Sequence, residues 1–361
     1  MVEVRSILPG QRIRARGADT NRPGRFEPTA REAFDDGWDL PEEQRLVATE
    51  IRVERPRSAI SWNRSPDLPF DRSINPYRGC EHGCVYCYAR PTHAFLNLSP
   101  GLDFETRLIA RPGIAEVLAA ELRRPAYRVA PVAIGTNTDP YQPVERDHAI
   151  MRKVLAVLSA FRHPVWITTR GTLIERDIDL IAPMAAQGLA SVSVSVTTLD
   201  EVLARRMEPR APAPGRRLQI IRRLAEAGIP VRIQVSPLIP ALTDHELEAV
   251  MTAGRDAGAQ AANTIPLRLP LEVATLFRSW LEANVPDRAA HVMGRVRELH
   301  GGRDYDPEFG TRMRGQGLWA DLIQRRADLA RRRLGLKESL PPLRSDLFAP
   351  PPRVGDQLSL F

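Results

Sequence analysis

Three cysteines, Cys80, Cys84 and Cys87, stand at C-x3-C-x2-C spacing in the stretch NPYRGCEHGCVYCYARPTHAF, and the chain holds no others. Three thiolates on one short loop can share a soft metal centre. A structural zinc site wants four protein ligands, for which His82 and His93 are the local candidates to complete the set. A ferredoxin-type cluster wants four cysteines, more than this chain has. A cluster held by three leaves one iron without a protein ligand, open to bind and activate a small molecule. A chance grouping is the bland alternative, and an odd number of cysteines so close together is a poor disulfide framework.

Such a loop needs rigid elements to hold it. From about Ser58 the sequence alternates strand-like and helical stretches. The strand-like ones are VAPVAIG at Val129 to Gly135, HPVWITT at His163 to Thr169, ASVSVSVTT at Ala190 to Thr198, PVRIQVSPLI at Pro230 to Ile239, and AANTIPLRLP. Gly188 and Gly228 stand where helix C-caps belong, each directly before a strand. Thr243 and Glu246 have the spacing of a capping box. About six βα units predict a parallel sheet, either open and doubly wound or a partial barrel, with functional loops at the C-terminal strand ends.

The organisation expected is an irregular arm over 1–57, a core over 58–271, a helical extension over 272–336 and a Pro-rich tail over 337–361. With 361 residues, 43% hydrophobic, the chain suffices for one large α/β core or two ordinary domains. The formal charge of +7 favours a polyanionic partner. No apolar run approaches the roughly 20 residues that span a bilayer, and the start lacks a signal-peptide core, so a cytoplasmic protein without a membrane partner is expected.

CEHGCVYC resembles the C-x3-C-x-aromatic-C signature of the radical S-adenosylmethionine (radical SAM) superfamily. The resemblance implies a partial (βα)6 barrel in the α/β class, here with an irregular N-terminal arm, C-terminal helices and an extended tail. It implies that Cys80, Cys84 and Cys87 hold a [4Fe-4S] cluster and that SAM chelates the fourth iron. One electron from an external reductant would then cleave SAM to a 5′-deoxyadenosyl radical. Tyr86 carries over as the aromatic near the adenine.

GTNTDPYQPVE, MEPRAP and SPLIPALTD resemble the branch related to spore photoproduct lyase, over roughly Ser58 to Leu271. That branch implies a DNA or RNA substrate, in repair or base modification. The lyase's additional cysteine, its hydrogen donor, has no counterpart here.

For SAM itself, Asn137 and Asp139 end the second strand of the repeat, where an ammonium wants acceptors; an Asn/Asp-Pro turn is the plain alternative. Ser195 and Thr197 lie on the hydroxyl-bearing face of SVSVSVTT, as ligands for the SAM ribose or carboxylate or as filling for a tight interior. Gln234 and Ser236 repeat that logic on the next strand. Glu208 reads as a salt-bridge or substrate residue. The residues that perform chemistry on the substrate are not legible.

Arg312, Arg314, Arg325, Arg326, Arg331, Arg332 and Arg333, with Trp319, could track phosphates or form a solvated helix face. The terminal Gln357, Leu358, Ser359, Leu360 and Phe361 resemble the peptide by which bacterial repair proteins dock on the sliding clamp; folding back on the barrel is the alternative. A radical SAM enzyme acting on a peptide or metabolite, and a non-enzymatic metal-binding adaptor, stand as alternative functions.

Overall fold

The computed structural model describes residues 16–18, 20–27 and 47–352. Ten strands form two sheets: β1 (Glu50–Val53), β2 (Ile60–Trp62), β3 (Arg72–Ile74), β4 (Tyr77–Arg78), β5 (Arg107–Ala110), β6 (Val132–Ile134), β7 (Val165–Thr169), β8 (Ala190–Ser195), β9 (Val231–Leu238) and β10 (Ala261–Pro266). The larger sheet has the order β10-β9-β8-β7-β6-β3-β2. Its neighbours from β3 to β10 all pair in parallel, while β2 adds an antiparallel edge to β3. The six parallel strands are the repeat expected from sequence. No hydrogen bonds join β10 to β2, so the barrel is partial.

Alternation along the strands divides apolar from polar. Ile74, Ile134, Ile167, Val192, Val194, Ile233 and Val235 all pack into one core cluster with the helices outside the sheet. The intervening positions therefore face the barrel interior, and they include Trp166, Ser193, Arg232, Gln234 and Asn263. This inner face is polar because it lines a space rather than a second packed layer.

Several boundaries differ from the sequence reading. The N-terminal arm is not wholly irregular: β1 lies within it and pairs in parallel with β5, fifty-odd residues away, a partner that local pattern does not reveal. Thr243 and Glu246 do not form a capping box, and the helix there begins at Leu247. Thr243 Oγ1 accepts from Ile239 N at 3.0 Å, while Glu246 accepts from Thr198 Oγ1 and Leu199 N, so both side chains brace strand-end loops instead.

The tail does not leave the domain as a free tether at Lys337. Lys337 bridges to Ala261 beside β10. The chain then crosses the N-terminal ends of the strands, where Arg344 N donates to Gly188 O at 2.9 Å and Ala349 N to Phe161 O at 3.1 Å. Phe348 packs among Tyr127, Phe161 and His163. The hook Gln357 to Phe361 lies outside the described residues.

Among the described residues, no helix is long and apolar enough to cross a membrane.

Candidate active site

The cysteine loop leaves β4 and rises at the C-terminal mouth of the barrel. Gly79 and Gly83 take φ of 79° and 68°, a left-handed conformation that side chains disfavour. A second reason for glycine at 83 is crowding, since a Cβ there would stand 2.7 Å from Glu105 Oε2. The buried Glu105 ties the loop to its surroundings. It accepts from Gly17 N at 2.9 Å, Ala18 N at 2.8 Å and Arg90 Nη2 at 2.5 Å. Gly17 and Ala18 of the arm are thereby strapped against the cysteine loop.

Cys80 and Cys84 are buried and Cys87 is half-buried. Burial pushes the Cys84 thiol up to about 12, against the opposing pull of Arg170, and raises Cys80 further above the ordinary thiol value. Buried thiols become ligands only when bound cationic charge holds them as thiolates. The donor set is three such groups on one loop with no fourth cysteine in the chain. That fits an iron-sulfur cluster with one iron left open. Among the described residues, no three Cys, His, Asp or Glu are gathered tightly enough for a single metal ion, as a zinc site would require.

Arg170, the residue after β7, reaches this loop. Its Nη1 donates to Cys84 Sγ at 3.0 Å, Tyr86 OH at 2.9 Å and Glu208 Oε1 at 2.7 Å. Glu208 is 1% exposed and also pairs with Arg217, so the ion-pair reading of this residue holds. Tyr86 OH donates to the same carboxylate and lies 3.1 Å from Thr197 Oγ1, which itself donates to Glu208 at 3.0 Å. One carboxylate therefore gathers Tyr86, Thr197 and two arginines beside the cysteines.

Asp139 is a different kind of residue from Asn137. Its carboxylate accepts from Tyr141 N at 2.9 Å, Thr169 Oγ1 at 2.6 Å and Arg170 N at 2.8 Å. His82 Nδ1 stands 3.4 Å away, within ion-pair range but off the hydrogen-bonding axis. Burial alone would raise the Asp139 carboxyl, but His82 and these donors hold it at about 2. Its oxygens are thus already engaged in fixing the β6 and β7 ends. Asn137 instead lines a cavity of about 710 Å³ outside the barrel edge, together with Asn75 and Arg78.

Ser195 is 4% exposed at the inner end of β8, whereas Gln234 and Ser236 are half-buried along β9. The structure brings Ser236 into this group only through its carbonyl, which lies 3.4 Å from Thr197 Oγ1. Sequence reading missed Arg170 and Arg232. The position of Arg170, next to a strand's C-terminal end, was the available signal for the first. For the second it was an arginine at an inner position of the RIQVS alternation. Arg232 Nε donates to Ser193 Oγ at 3.1 Å, and it forms no ion pair among the described residues. Burial lowers its pKa.

A family model described as the radical SAM superfamily matches residues 74–253, which contain the whole cysteine loop, the last residue of β3 and the four parallel strands β6 to β9 entire. An uncharacterized protein of Mycobacterium bovis is 40% identical over 242 residues, covering 66% of this chain and 70% of its own. The chain belongs to the radical SAM superfamily. An uncharacterized protein of Methanocaldococcus jannaschii is 25% identical to this radical SAM chain over 173 residues, covering 48% of it and 62% of the relative. Among solved structures, spore photoproduct lyase complexed with dinucleoside spore photoproduct aligns with TM-score 0.49 and 15% identity. That alignment covers 65% of this chain and 66% of the lyase, just under two thirds of it. Streptococcus suis SuiB bound to S-adenosylmethionine aligns with TM-score 0.41 and 13% identity, over 60% of this chain and 47% of SuiB.

Proposed function

We propose that this radical SAM protein cleaves S-adenosylmethionine reductively at a [4Fe-4S] cluster held by Cys80, Cys84 and Cys87, and acts on a nucleic-acid substrate. The observation that carries the chemistry is the convergence of three thiols, with no fourth, at the C-terminal mouth of a six-stranded parallel half-barrel. The cluster and SAM would together supply a carbon-centred radical able to abstract hydrogen.

The chain's own residues have separable tasks. Arg170 places positive charge and a donor against Cys84 Sγ, which lowers the cost of a buried thiolate. Glu208 fixes Tyr86 and Thr197 as one wall, where the ring of Tyr86 would meet the adenine and Ser195 and Thr197 the ribose or carboxylate. Asp139 positions Arg170 at the strand ends, while Asn137, on the same loop, belongs to the outer cavity rather than to the cysteine side. Gln234, Ser236, Arg232 and Asn263 offer amides, a hydroxyl and a cation below, where a polar substrate would lie.

The basic balance of the chain and its branch resemblance support a nucleic acid over a peptide. The Arg-rich helix no longer does so strongly. Arg312, which with Arg314 precedes the helix that starts at Gly317, is bound bidentately to Asp67; on the helix Arg326 is bound bidentately to Glu248 and Arg331 pairs through one nitrogen with Asp328, while Trp319 packs on the core cluster.

The test is release of 5′-deoxyadenosine by the anaerobically reconstituted, reduced protein with oligonucleotides or with an unrelated peptide library. Stimulation by the oligonucleotides is expected. Stimulation by peptides alone would overturn the nucleic-acid assignment and leave the SAM chemistry standing.

A further inference from the structure

A cavity of about 710 Å³ lies outside the barrel, in the seam between the small β1-β5-β4 sheet and the edge strand β2. That is within the range of ligand-holding clefts, roughly 300 to 1,000 Å³. Arg55, Arg57, Arg78 and Arg111 line it against one carboxylate, Glu54. Glu54 is shared between Arg78 at 3.5 Å and Arg111 at 3.3 Å, so it cannot neutralise both. Arg111 is 8% exposed, and its Nε, though within ion-pair distance of Glu54, makes no hydrogen bond. Arg55 and Arg57 are exposed and form no ion pair among the described residues. Arg111 also donates to Asn75 O and Ser58 O, so the cations left for an anion are the solvent-facing Arg55, Arg57 and Arg78, whose planar forks suit bidentate contacts.

Two further features say which anion. Phe95 lines the cavity yet is 71% exposed, giving a flat apolar face beside the cations. Asn75 and Asn137 carry the cavity to the C-terminal ends of β3 and β6, the ends that frame the cysteine loop. Guanidinium forks match phosphate oxygens, and an exposed ring stacks an unpaired base but not one enclosed in a duplex. The Phe95 ring packs against Phe26 at a centroid distance of 5.3 Å and keeps its remaining surface open; an acidic peptide would use the cations but not that open surface.

We propose that this cavity is a docking site for a single-stranded nucleic-acid segment, its phosphates on Arg55, Arg57 and Arg78 and one base on Phe95. The strand would reach the cysteine loop past Asn75 and Asn137. This deepens the nucleic-acid reading above and rests on it for the purpose of docking, but it does not depend on the cluster.

The test is fluorescence anisotropy of a labelled oligothymidylate with the reconstituted full chain, titrated over a range of salt concentrations. Arg55→Gln/Arg57→Gln removes two phosphate contacts. It should reduce the salt slope by about 1.4 and weaken binding roughly tenfold at about 0.15 M salt. Arg55→Lys/Arg57→Lys should restore most of the affinity, and Phe95→Ala should weaken the oligothymidylate but not inorganic polyphosphate. Arg332→Gln/Arg333→Gln, which removes the same charge from the C-terminal helix, should leave binding nearly unchanged. Equal losses from both arginine pairs, or competition by polyglutamate as effective as that by the oligonucleotide, would overturn the docking site. Oligonucleotide binding that ignores Arg55 and Arg57 would overturn it while sparing the nucleic-acid reading. Arginine-dependent binding without any stimulation of SAM cleavage would instead contradict that reading and leave the docking site intact.

Discussion

Arg170 Nη1 has two hydrogens and three acceptors within 3.0 Å, the Cys84 sulfur, the Tyr86 hydroxyl and the Glu208 carboxylate. The same group therefore sets the charge beside the thiolate and the position of the tyrosine. A donor and a cation next to a sulfur ligand favour the reduced cluster. Arg170→Ala should thus shift the cluster potential to more negative values in a spectroelectrochemical titration, and Arg170→Lys should recover part of the shift by restoring charge. It should also cost about 1–3 kcal/mol of stability, because Glu208 stays buried with one cation fewer. Arg232 makes the opposite case. It is a partly buried cation whose hydrogen-bond partner is a hydroxyl, that of Ser193. Arg232→Met should leave thermal stability unchanged or raise it by about 1 kcal/mol while lowering activity, a pattern expected of a residue kept for a ligand. A large fall in melting temperature would make it structural instead.

At the scale of elements, the strands of the barrel were legible because their inner and outer positions differ in kind. SVSVS and RIQVS alternate at the strand period; the alternation survives in the burial of β9, whereas every residue of β8 is buried and only its chemistry, Ser against Val, separates the two faces. What sequence could not show were pairings between distant segments, such as β1 with β5 or the arm with Gly83. The arm contact is close enough that a Cβ on Gly17 would stand 1.7 Å from Gly83 O. Gly17→Val should therefore lift the strap from the cysteine loop, and the reconstituted protein's visible absorption should bleach faster in air than the parent's. The site residues divided along the same line: the cysteines share one loop and could be read locally, whereas Arg170 joins them only through the fold. On the barrel floor, His163 Nδ1 faces the Pro164 carbonyl, which can only accept, so Nε2 is left to accept from Tyr127 OH at 2.7 Å. Burial, aided by nearby Arg72, lowers its pKa to about 4. The unfolded chain then binds the extra proton more readily between about 6.5 and 4. Stability is therefore complete above that window and declines as pH falls through it, by on the order of 3 kcal/mol. Unfolding midpoints across pH should show this decline, and His163→Gln should flatten it.

For the whole molecule, the docked tail changes the geometry of any partner contact. Pro351 is fixed by Arg123 at 2.6 Å, so the described chain ends on the barrel floor, opposite the cysteine mouth. If Gln357 to Phe361 dock on a bacterial sliding clamp, deleting those five residues should abolish that binding without altering the melting temperature. A lowered melting temperature with clamp binding unchanged would show instead that the hook packs on its own barrel. The account as a whole depends on the three thiols acting together with SAM. The direct measurement is 5′-deoxyadenosine formed from SAM by the reduced, anaerobically reconstituted protein and by its Cys84→Ala variant. Formation by the parent and its loss in the variant are expected; formation that survives Cys84→Ala, or a cluster-loaded parent that forms none, would contradict the account.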